Sequence, residues 1–165
     1  MLGRRILWRF GVVIPLLASA ILTAQAIPAE AAVAAPIDSV YGWQYTNALV
    51  KKGVNYTVTT DDTGPDGQAG TWTVDYRNFP SVGPSGYDRS TDAKIYQRCK
   101  YEPSMPYGRL LGRIGDDGKV FSIGTGRTFT ADASGPLNAR INDQDHCLVD
   151  NQGYIMVWTK GSDEP

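Results

Sequence analysis

Between positions 41 and 159 the chain is a run of short segments rich in aromatic and β-branched residues, each soon cut by Gly, Pro or Asp. That rhythm constrains the fold more than any other feature. The eight segments fall at 42–50, 54–59, 71–76, 109–114, 119–123, 127–131, 136–142 and 154–159, and none repeats its apolar residues at helical spacing. Alternation is cleanest at 136–142, where Leu137, Ala139 and Ile141 share one face and Asn138, Arg140 and Asn142 the other, as the two-residue period of a strand requires. Asp116-Asp117-Gly118 is a tight-turn signal between two of the segments. About eight strands with no amphipathic helix predict an all-β chain built as an antiparallel β-sandwich.

The first thirty-one residues are read apart from that domain. Arg4, Arg5 and Arg9 precede an apolar run of twelve residues, 11–22, and small-residue cleavage patterns follow at 24–26 and 29–31. This predicts a secretory signal peptide over 1–31; a membrane span needs about 20 apolar residues. The remaining segments are expected to be a flexible Ala/Pro-rich leader at 32–40, a domain at 41–160 and a tail at 161–165. Removing the first 31 residues leaves 134, with 13 basic and 16 acidic side chains and a formal charge of −3. A mildly acidic domain without a basic cluster gives no footprint for nucleic acid, and no stable membrane insertion is expected. Two cysteines in an exported chain predict a Cys99–Cys147 disulfide.

Chemistry concentrates at 141–153, where Asn142, Asp143, Asp145, Asp150 and Asn151 follow one alternating apolar segment and precede another. Hard cations such as Ca²⁺ take six to eight oxygen ligands, which one pinned loop can largely supply. The same residue types populate any solvated turn, and on composition alone the loop reads as one. It is not an EF-hand: counted from Asp143, the fifth and sixth positions are Cys147 and Leu148, where that motif needs Asp or Asn and then Gly. A second polar loop at 61–70 holds Asp61, Asp62 and Asp66 and reads as a hairpin connection.

The stretch 77–106 is irregular and carries Pro80, Pro84, Pro103 and Pro106. Irregular segments of that length in a compact domain usually serve function, so it is expected to wrap one end of the sheets and supply ligand contacts. Its Tyr87, Tyr96 and Tyr101 are the candidates for aromatic contact with a ligand, whereas Trp43 and Trp72 are assigned to packing. His146, the only histidine, reads as a solvent-facing or ligand-contacting residue of the oxygen-rich loop.

One set of residues keeps its order through four strands and the loop. It runs Tyr107-Gly108-Arg109-Leu110, Ile114-Gly115, Phe121, Ile123-Gly124, Phe129, Ala131, Gly135, Leu137, Ile141-Asn142-Asp143, Asp150-Asn151, Gly153 and Val157. In this it resembles the calcium-dependent galactophilic lectins of bacteria, most strongly over 108–158 and more weakly over 43–76 through Gly53 and Trp72. The resemblance implies a jelly-roll or galactose-binding-like sandwich in which loop-bound Ca²⁺ meets sugar hydroxyls. It assigns the metal to the side chains of Asp143, Asp150 and Asn151, the backbone carbonyl of Cys147 and a carbonyl near Asp75. Asp143, Asp150 and His146 would then face the ligand with the tyrosines. The chain departs from the pattern at Asp150, where the family has Asn, and at Cys147, where it has Thr. The family's galactose-contacting His and Gln have no counterparts in 86–99, so metal binding carries over and the identity of the sugar does not.

A secreted, calcium-using carbohydrate-binding protein is the resulting expectation; a homo-oligomer would benefit it, because single sugar sites bind weakly, but the sequence specifies no assembly. The alternatives are a Ca²⁺-stabilised structural or protein-interaction module and a small polysaccharide hydrolase. No Gly-x-Ser-x-Gly elbow is present and only three Glu occur, so the chain is read as a non-enzyme.

Overall fold

The computed structural model describes residues 32–61 and 70–161. The predicted signal peptide, most of the 61–70 loop including Asp62 and Asp66, and residues 162–165 lie outside the described residues.

Among the described residues nine strands form two antiparallel sheets. In chain order they are β1 (Val33–Asp38), β2 (Gln44–Val50), β3 (Asn55–Asp61), β4 (Trp72–Thr73), β5 (Leu110–Ile114), β6 (Phe121–Ser122), β7 (Gly126–Thr130), β8 (Gly135–Ile141) and β9 (Gln152–Gly161). One sheet runs β1-β9-β3-β7, with β4 pairing the start of β9; the other runs β2-β8-β5-β6. Among the described residues the only helical pieces are one α turn, α1 (Arg89–Asp92), and 3₁₀ turns at Gln97–Cys99 and Asp145–Asp150. No helix among them is long and apolar enough to cross a membrane. The expected β-sandwich is what forms.

Two-residue alternation builds the core. Ala35, Ile37, Val58, Ile155 and Val157 from one sheet meet Leu110, Ile114, Leu137, Ala139 and Ile141 from the other, all buried. The aliphatic and aromatic area removed from water here is the main stabilising term.

The segment 32–40 is not a leader. Val33 to Asp38 pair residue by residue with Thr159 to Tyr154 of β9, and Ala35 and Ile37 are 2% and 0% exposed. The Ala/Pro composition is compatible with a strand because β1 is an edge, and Pro36 lacks only an N–H that an edge can spare. Ile37→Val is expected to cost about 1 kcal/mol in a denaturant melt; an unchanged midpoint would return this segment to a linker.

The polar face of β8 also differs from a solvated one. Asn138, Arg140 and Asn142 are 7%, 0% and 0% exposed; the irregular segment covers Arg140 and Asn142, and Asn138 Nδ2 donates to the Gly115 carbonyl at 3.2 Å. Asn142 is the fastener: its Oδ1 accepts from the Glu102 N–H at 2.8 Å, and its Nδ2 donates to the carbonyls of Glu102, Met105 and Pro106 at 2.9–3.1 Å. The segment 77–106 does wrap the sandwich, and this brings its residues 95–99 beside the 3₁₀ turn at Asp145–Asp150.

Candidate functional site

A cleft of about 360 Å³ opens at that end of the sandwich. One wall is the oxygen-rich loop, contributing Asp143, His146, Cys147, Val149 and Asp150. The second is Ile95, Tyr96 and Cys99 from the wrapping segment, with Tyr107 behind, and the third is Val74, Asp75 and Phe79 just after β4.

Each wall is fixed by bonds the sequence encodes. Cys99 and Cys147 form the expected disulfide, their Cα atoms 6.0 Å apart. Beside it the Gln144 N–H donates to the Cys99 carbonyl at 2.7 Å and its Nε2 to the Lys100 carbonyl at 3.1 Å. Asp92 accepts from Lys100 Nζ at 2.6 Å and from the Tyr107 N–H at 2.7 Å, while the Tyr107 hydroxyl donates to the Tyr96 carbonyl. Burial pushes the Tyr107 hydroxyl up to about 12, which keeps it a donor. The third wall meets the first where the Tyr76 N–H donates to the Asp150 carbonyl at 3.0 Å. Gly153, at φ +94, lets β9 approach β4: a Cβ there would stand 2.2 Å from the Thr71 carbonyl oxygen.

The electrostatics centre on Asp143. Its side chain is 1% exposed, and one oxygen accepts from the Gln144 N–H at 3.0 Å. Burial first, and the nearby Asp150 charge after it, raise its pKa to about 7 against hydrogen bonding from Asn151 and Gln144 and the Arg140 charge. Asn151 is 5% exposed; its Nδ2 donates to the Ser39 carbonyl at 3.0 Å, and its Oδ1 has no hydrogen-bond partner. A buried acceptor left unpaired costs about 1–3 kcal/mol. A buried carboxylate, a second acid lining the cleft and an orphaned amide oxygen form a donor set suited to a hard cation. They fit Ca²⁺.

The Cys99, His146 and Cys147 ligand atoms also lie within 4.8 Å of one another, but both sulfurs are spent in the disulfide and offer no thiolate.

Of the residues expected at the site, Asp75, Tyr96, Asp143, His146, Cys147 and Asp150 line one cleft, and Asn151 follows directly. Tyr96 is 67% exposed at its mouth. Two tyrosines are corrected. Tyr87 is 3% exposed, its hydroxyl bonded to Thr73 Oγ1 and the Pro80 carbonyl, both at 2.8 Å, so it is a core residue. Tyr101 lies under the Arg140 guanidinium, 4.1 Å from its ring centroid, and its hydroxyl accepts from Trp43 Nε1 at 3.1 Å; it faces β8 rather than the cleft. Trp72 is fully buried as expected, its Nε1 donating to the Gly108 carbonyl at 2.6 Å. Sequence reasoning missed Ile95, Phe79 and Val149; the last, 90% exposed, is an apolar residue in a polar loop and was visible as an anomaly.

No family model matches the chain, and no curated protein sequence matches it. Among solved structures, the EclA N-terminal domain, described as a PllA-like lectin, superposes with a TM-score of 0.55 at 16% identity, covering 78% of this chain and 95% of its own. The fold is lectin-like. At that identity the likeness establishes the arrangement of strands and leaves the ligand to the cleft.

Proposed function

We propose that this chain is a secreted carbohydrate-binding protein, without catalytic activity, that holds Ca²⁺ in the cleft and binds sugar hydroxyls through it. The observation that carries this reading is the buried Asp143 with Asp150 at one cleft, and the unpartnered oxygen of Asn151, whose side chain hydrogen-bonds Asp143. Two carboxylates match the cation's charge, and the Asn151 oxygen with the carbonyls of Cys147 and the Asp75 region would complete the protein's share of the shell. Bound Ca²⁺ would supply open coordination positions for vicinal hydroxyls. At the mouth, Tyr96, His146 and Val149 present the faces a sugar ring would meet.

Calorimetric titration with Ca²⁺, followed by a glycan array in calcium and in chelator, tests the reading. One ion per chain and calcium-dependent glycan capture are expected. Tyr96→Ala should weaken that capture about fivefold, the worth of one aromatic contact of about 1 kcal/mol. Absence of calcium heat would remove the mechanism.

The exposure of Val149 favours a second reading, in which the calcium-ordered loop contacts a protein. Calcium uptake with an array silent for every glycan class would select it.

A further inference from the structure

Arg140 is the one fully buried arginine among the described residues. It projects from β8 on the face opposite Leu137, Ala139 and Ile141. Its guanidinium sits 4.1 Å from the Tyr101 ring centroid and 5.6 Å from that of Trp43. Its polar contacts run toward the oxygen-rich loop. Nε donates to the Ile141 carbonyl at 3.2 Å, Nη2 donates to the Asp143 carbonyl, and Nη2 pairs with Asp145 Oδ1 at 2.8 Å. Gly42 leaves room for that carboxylate, since a Cβ there would lie 3.0 Å from Asp145 Oδ1.

Stability does not account for this arrangement. A buried charge carries a desolvation cost of several kcal/mol, and replacing such a pair with apolar groups of like volume is often neutral or stabilising. Here the cost is steeper, because Nη1 has no partner and Asp145 is 74% exposed, which screens the pair. Attraction for a cation does not account for it either, because a positive group near a Ca²⁺ site repels the ion. What remains is geometry: the guanidinium fork grips the backbone of the residue that bears the buried carboxylate, and its planar donors fix direction as an ammonium could not.

We propose that Arg140 is the positioning residue of the cation loop, anchored between Tyr101 and Trp43 and holding the Asp143 backbone so that its side chain turns into the cleft. The proposal deepens the calcium reading and rests on it for its consequence in binding.

Arg140→Met separates the possible roles. If Arg140 positions the loop, the variant binds Ca²⁺ at least tenfold more weakly. Its amides at 143–151 exchange at least tenfold faster in chelator, and its melting temperature in chelator stays level or rises. If Arg140 acts only through its charge, removing it tightens Ca²⁺ binding and leaves exchange alone, which overturns the proposal. If it is only a structural prop, melting temperature and exchange protection across β8 fall together, which also overturns it.

Asp145→Asn changes an exposed side chain and folds whatever becomes of the core. Faster exchange at 143–151 in chelator is expected there too, and wild-type exchange counts against the anchor. Because exchange is read without metal, wild-type protein that takes up no Ca²⁺ refutes the proposed function while the role of Arg140 is still decided.

Discussion

In chelator near neutral pH, Asp143→Asn is expected to raise the melting temperature while abolishing the shift that calcium produces. Asp143 is 1% exposed, and burial raises its pKa from 3.8 in the ordinary state to about 7 in the fold. A group whose acid is favoured by folding contributes most below its unfolded pKa. Between 3.8 and about 7 the native state holds a proton that the unfolded chain has released, so stability falls as pH rises through that window. Above it the penalty is constant, with a ceiling of about 4 kcal/mol, or roughly 10 °C. Asn keeps an acceptor for the Gln144 N–H and cannot ionise, so its metal-free melting profile should be flat there. Calcium acts in the opposite sense, because it stabilises the ionised form. Its affinity for the wild type should drop by up to about tenfold per pH unit below about 7. Paired melts in calcium and chelator across that range check both halves. A calcium shift that survives in Asp143→Asn removes Asp143 from the ligand set.

Much of this was legible in the sequence because it depends on local pattern. Alternation fixes β8 and β9, turn residues separate the strands, and two cysteines leave one intramolecular pairing. The oxygen-rich loop stands out for the same local reason. What escaped depends on neighbours distant in sequence. The strand β1 looked like a linker because Ala and Pro carry little strand signal, and only β9 beside it gives Ala35 and Ile37 a core to enter. Asn142 and Arg140 alternate as an outward face should, and nothing local says that residues 100–106 will cover them. Tyr87 and Tyr101 shared an irregular segment with Tyr96, yet the folding of that segment sends one inward, one under Arg140 and one to the cleft mouth. Periodicity locates strands; it does not say which irregular stretch will lie on them.

Replacing both cysteines, Cys99→Ser with Cys147→Ser, is expected to cost about 2–4 kcal/mol and to weaken calcium binding. The bridge closes a separation of 48 residues, for which chain entropy alone gives a ceiling of about 4 kcal/mol. Part of the constraint survives its loss, because Gln144 still donates to the Cys99 and Lys100 carbonyls at 2.7 and 3.1 Å. The cleft should lose more than the sandwich does. Both cysteines line it, and the bridge joins the wall carrying Tyr96 to the loop carrying Asp143 and Asp150. Freed from each other, the walls must be ordered again when an ion binds, and that ordering entropy is drawn from the binding free energy. The double variant should therefore melt lower in chelator and gain less than the wild type from a fixed calcium concentration. Reductant added to the wild type should reproduce both effects. A variant that melts lower but keeps the full calcium increment would mean the loop is shaped by Gln144 and the sheet alone, leaving the disulfide a role in stability only.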